Sequence, residues 1–174
     1  MIKREKWKKN SSGHLLRLVP VLILLMVCIS LSAQPDPPQP ITVTTTQNLA
    51  FGAFYHGASG GDITITTAGS RTATGDIVLL GMSYVFSPAL FDIAASEGTL
   101  INLVPLSDIT LTGSNGGSMI LHFSVPDPEF PFTISAIPPA TTRMKIGGIL
   151  SVEEPGSNPP GSYSGSFDLI FIQE

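Results

Sequence analysis

The chain has 174 residues and a formal net charge of −4, with nine lysines and arginines against thirteen aspartates and glutamates and a single cysteine. One cysteine excludes an internal disulfide framework and a cysteine-ligated metal site. An acidic balance argues against a nucleic-acid partner, which needs clustered Lys and Arg.

Residues 1–33 differ in kind from the rest. Lys3, Arg4, Lys6, Lys8 and Lys9 make a basic start, "LVPVLILLMVCI" (18–29) an apolar middle, and "SLSA" a small-residue exit ending at Ala33. This is the layout of a secretory signal peptide with cleavage before Gln34. The apolar run is shorter than the roughly 20 residues of a membrane helix, and Pro20 interrupts it. An uncleaved anchor is the alternative. Lipidation of Cys28 is disfavoured, because Met26 and Val27 stand where small residues belong.

Beyond residue 33 only Arg71, Arg143 and Lys145 face twelve acids, a formal −9. Such a chain is expected to be soluble outside the cell, with no nucleic-acid partner and no stable membrane insertion after cleavage. "QPDPPQP" (34–40) has four prolines in seven residues and reads as a short Pro-rich spacer.

Residues 41–174 are expected to form a single β-sandwich domain. "ITVTTT" and "LAFGAFY" are strand-like, "GASGG" (57–61) is read as a Gly-rich hairpin turn, and "ITITT" follows it. After the polar loop "AGSRTATGD" come "IVLLGMSYVF", with a kink expected at Gly81, and "LFDIAAS", where Phe91 and Ile93 alternate with Asp92. "DITLT" and "SMILHFSV" flank "GSNGG" (113–117), a hairpin loop. "RMKIGGILSV" is read as one run, and the chain closes on "GSYSGSFDLIFIQE". That last stretch has period 2, so Phe167, Leu169 and Phe171 should face inward, with Leu49, Phe51, Ile146 and Ile149 among their core company. The expectation is all-β: an antiparallel β-sandwich, immunoglobulin-like or pilin-like, of about nine short strands.

Chemistry is thinly represented. His56 and His122 have no partner at metal-ligand spacing and read as surface imidazoles. Asp62, Asp76, Asp92, Asp108, Asp127, Glu129, Glu153 and Glu154 are scattered, with no calcium-loop motif. "GASGG" matches Gly-x-Ser-x-Gly around Ser59, but that motif needs a helix after the serine and "DITITT" reads as a strand. No catalytic, cofactor-binding or metal-binding residue is assigned, and no cofactor is expected.

The order of motifs resembles a bacterial family catalogued as domain of unknown function 4402. The matching pieces are "LAFGAF", "TGDI", "ALFDIAASEGTLINLVP", "DITLTGSNGGSMILHF", "MKIGGILSV" and "GSYSGSFDLIFI". The resemblance implies an exported β-rich domain and transfers no catalytic residue. The closing stretch is also similar to the last strands of chaperone–usher fimbrial subunits and spore-coat-U-like secreted proteins. Gly161 stands where that pattern has a glycine, and Gln173 where it has an aromatic.

The expected function is therefore an exported, non-catalytic, adhesin- or pilin-like structural protein, located in the periplasm, on the outer surface or outside the cell. Self-association or contact with other surface proteins would proceed by strand pairing. A self-contained sandwich is preferred to one completed by a partner strand. The alternative function is a secreted carbohydrate- or small-ligand-binding module, which should expose aromatics on one face. An exported hydrolase would need convergent acids or a triad.

Overall fold

The computed structural model describes residues 40–81 and 83–173. The signal segment 1–33 and all of the spacer except Pro40 lie outside them. Among the described residues every regular element is a strand. In chain order the first eight are β1 (Thr42–Gln47), β2 (Ala50–Phe51), β3 (Ala53–His56), β4 (Gly61–Ile65), β5 (Arg71–Ala73), β6 (Ile77–Leu80), β7 (Phe86–Ser87) and β8 (Ala89–Ala94). The rest are β9 (Leu100–Leu103), β10 (Ile109–Gly113), β11 (Ser118–Phe123), β12 (Phe132–Thr133), β13 (Thr142–Ile146), β14 (Gly148–Val152), β15 (Tyr163–Ser164) and β16 (Phe171–Gln173).

All paired strands are antiparallel. One six-stranded sheet has the order β15-β10-β11-β14-β4-β5. Two three-stranded sheets are β1-β8-β13 and β12-β9-β16, and β2-β7 and β3-β6 are two-stranded ribbons. The fold is an all-β, sandwich-like arrangement rather than a closed barrel.

Period-2 patterning builds two apolar clusters. Ile63, Ile65, Leu111, Met119, Leu121 and Leu150 line one face of the six-stranded sheet. Phe91, Ile93, Ile101, Ile134, Met144 and Ile146 form the second, against the three-stranded sheets. Leu49 and Phe123 pack on both. "LFDIA" is strand as expected, with Ala89, Phe91 and Ile93 buried and Asp92 turned outward. "GSNGG" closes the β10–β11 hairpin, where Thr112 faces Ser118.

The runs read from the sequence are cut into shorter strands because glycines let the chain change sheets. Gly52, with φ 72°, separates β2 from β3. Gly147 separates β13, which joins β8, from β14, which joins β11 and β4. A Cβ at Gly147 would run into the carbonyl oxygen of Ile65. This break also corrects one expected core residue. Gly148, Leu150 and Val152 are the buried positions of β14, so Ile149 faces outward and is 37% exposed. "GASGG" is a turn but not a hairpin: β3 pairs with β6, whereas β4 pairs with β5 and β14.

The closing run is likewise not one strand. β15 lies on β10 and β16 on β9, in different sheets. Its phase is as expected: Phe167, Leu169 and Phe171 are half-buried and pack against the second cluster, in the company of Leu49 and Ile146, whereas Phe51 lies in the first cluster. Because Leu169 is half-buried, Leu169→Ala is expected to cost about 1–3 kcal/mol, below the full price of a core truncation. An unchanged urea midpoint would show that Leu169 contributes no packing.

Candidate functional site

The most developed polar cluster lies where the loop after β14 covers the end of β3. Asn158 is fully buried. Its Oδ1 accepts from the Glu153 amide at 2.5 Å, and its Nδ2 donates to the Ser118 carbonyl at 2.5 Å. Its own carbonyl lies 3.0 Å from His56 Nε2. A carbonyl only accepts, so Nε2 is the donor of this bond, and Nδ1 is buried without a hydrogen-bond partner among the described residues. His56 is thus a half-buried strut rather than a surface imidazole. The loop is further tied by Tyr163, whose hydroxyl donates to the Pro159 carbonyl at 2.7 Å. Burial pushes the Tyr163 phenol pKa up.

Arg71 forms a second cluster at the Gly52 break. Nη1 donates to the Phe51 carbonyl at 2.9 Å and the Ala53 carbonyl at 3.4 Å, and Nη2 to the Leu80 carbonyl at 2.9 Å. Its guanidinium carbon is 4.4 Å from the centre of the Phe86 ring. Three carbonyl dipoles and a ring face thus stabilise this cation where ladder hydrogen bonding is interrupted.

The other candidates separate. His122 Nδ1 is 2.8 Å from an Asp108 carboxylate oxygen, so it has an acidic partner that spacing did not reveal. Ser59 is exposed in a turn followed by strand β4, which is not the setting of a nucleophile elbow. Asp62 accepts from the Ser151 hydroxyl at 2.8 Å, and Asp127 pairs with Lys145 at 3.3 Å. Among the described residues no group of three or more His, Cys, Asp and Glu is placed to hold a metal ion.

Asp92 and Arg143 face each other across β8 and β13, with hydrogen bonds of 2.8 and 3.1 Å. The hydrogen bonds from Arg143 hold the Asp92 carboxyl below its usual range. A depressed carboxyl pKa contributes stability above the unfolded value of about 3.9 and loses it as pH falls through the folded value. Arg143→Ala is therefore expected to move the Asp92 titration upward when followed by carboxyl NMR. An unmoved titration would remove Arg143 as the cause.

Sequence reasoning missed Asn158 and Arg71. The Asn-Pro-Pro of "GSNPPG" signals a turn, and Arg71 is the lone cation in a long stretch of strand-like sequence. Neither signal reveals which carbonyls the side chain will meet.

An antiparallel, sandwich-like all-β domain whose polar side chains brace its own loops is the class defined by these features. Residues 41–171 match the family described as Domain of unknown function (DUF4402), and the chain belongs to that family. No curated protein and no solved structure matches the chain significantly.

Proposed function

We propose that the protein is an exported, non-catalytic β-sandwich with a structural, adhesin- or pilin-like role at or beyond the cell surface. One observation carries this reading: the side chains a site would recruit are engaged with the protein's own backbone. His56 bonds a carbonyl, Arg71 three, and Asn158 an amide and a carbonyl. The basic and apolar start of the chain supports export. Cell fractionation with N-terminal sequencing tests the reading. The expected result is a protein beginning at Gln34 in the periplasm, on the surface or in the medium. A cytoplasmic protein retaining Met1 would overturn it.

A second reading, a binding module for an uncharged saccharide, is favoured by the exposed aromatics Tyr55, Tyr84 and Phe86. Tyr55 faces Val78 across β3 and β6, and the neighbouring pair Ala53–Leu80 supplies two of the carbonyls that hold Arg71 beside Phe86. Exposed aromatic rings suit a sugar's apolar faces. Affinity electrophoresis in soluble glucan and xylan tests it. Retardation lost in Tyr84→Ala supports this reading, and unretarded wild-type protein removes it for those polysaccharides.

A further inference from the structure

Residues 165–169 run between β15 and β16 with Phe167 and Leu169 turned toward the second cluster and Ser166 and Asp168 exposed. Among the described residues, none of their backbone N–H or C=O groups has a hydrogen-bond partner. Pairing resumes where the Val104 amide donates to the Ile170 carbonyl at 2.9 Å. A backbone anchored by its own side chains, with its polar groups unpaired, is a template for another strand. The outward side chains suit such a contact: Ile170 is 60% and Ile172 44% exposed, and Val104, just past the end of β9, is exposed as well.

Other edges are short or guarded: β2, β7 and β15 have two residues each and β16 three. β13 carries Arg143 and Lys145, and Asp127 bridges to Lys145. β5 has three residues including Arg71, and β12 has two, directly after Pro131. β3 and β6 are four residues each, with Arg71 on the Ala53 and Leu80 carbonyls. β1 is different: six residues, TVTTTQ, with no charge and no proline, at the margin of its sheet. Its bulge between Thr45 and Gln47 leaves Thr42–Thr45 regular.

We propose that the closing segment, residues 165–170, of one copy pairs with the β1 edge of a second copy. This rests on the structural role proposed above and specifies how copies join. The two edges are different surfaces, so the contact is heterologous and repeats head to tail. Charge selects the same pair. Copies that carry −9 beyond residue 33 repel one another, and these two edges together contain only Asp168 as a charge.

Sedimentation velocity on the exported full-length product tests the proposal. Wild-type protein is expected to form a concentration-dependent series of oligomers. Ser166→Lys blocks one edge and Thr42→Lys the other, so each variant alone should be monomeric. Their equimolar mixture should give dimers and nothing larger, because only one intact pair of edges remains. Circular dichroism confirms folding. If either lysine variant does not fold, Ser166→Pro and Thr44→Lys replace them. A mixture that stays monomeric, or variants that assemble like wild type, overturns the pairing. A wild-type protein that is exported and folded yet monomeric also overturns it and leaves the surface role standing. A cytoplasmic location would instead remove the surface role, whatever the oligomeric state.

Discussion

Deletion of residues 167–174 is expected to leave the domain unable to hold its native fold. The deletion removes the β16–β9 ladder and the bond from the Val104 amide to the Ile170 carbonyl. It also removes Phe167, whose ring centre lies 4.7 Å from that of Phe123, and Phe171, 6.2 Å from Phe130. A fully buried apolar side chain contributes about 1.5–3 kcal/mol, so three half-buried ones contribute roughly 2–5. Each aromatic pair adds about 0.5–1.5 kcal/mol. Together these terms reach roughly 3–8 kcal/mol, a large share of a typical total of about 5–15 kcal/mol even before the lost ladder is counted. Circular dichroism and light scattering should show lost β signal or aggregation through the bared β9 edge. A truncated domain that stays folded and monomeric, beside an oligomeric full-length protein, would mean that the segment serves docking and contributes little to the fold.

Asn158→Ala is expected to be the most damaging single substitution outside the apolar clusters. Alanine leaves the Glu153 amide and the Ser118 carbonyl without the partners they have now. Asn158 is fully buried but Glu153 and Ser118 are exposed residues, so each lost bond falls toward the low end of the about 1–3 kcal/mol cost of an unsatisfied buried group, roughly 1–3 for the two. Urea denaturation reads the change, and a midpoint equal to wild type would show that water replaces the amide at both groups. Asn158→Asp gives an independent check. Its carboxylate can still accept from Glu153 but faces the Ser118 carbonyl with no proton to donate. The Asp variant should therefore be destabilised near neutral pH, and protonation should restore part of the loss.

The residues show why some of this was readable in advance. The alternation of Phe91, Asp92 and Ile93 reports directly which face of β8 is buried, because side-chain period and backbone period coincide. "GSNGG" is legible because hairpin loops are set by local backbone chemistry. The phase of Phe167, Leu169 and Phe171 was legible for the first reason, but their ladder was not. Nothing local records that β10 and β9, the partners of the two ends, belong to different sheets. The Gly147 break goes with its close approach to Ile65, far away in sequence, so the alternation of the run does not predict that Ile149 faces outward. His56 and Asn158 meet by the same kind of long-range closure.

The partners in the six-stranded sheet also set a schedule. β4 makes a local hairpin with β5, but its other neighbour is β14, where Gly61 meets Val152. β9 likewise waits for β16, where Leu103 meets Phe171. Contacts between residues so far apart form slowly, since the intervening chain must be ordered before they give anything in return. A chain emerging from its N-terminus therefore holds hairpins long before it holds a sheet. The middle of the largest sheet closes only once residue 152 is available, and the β16 side of β9 stays an open edge until residues 171–173 pair with it.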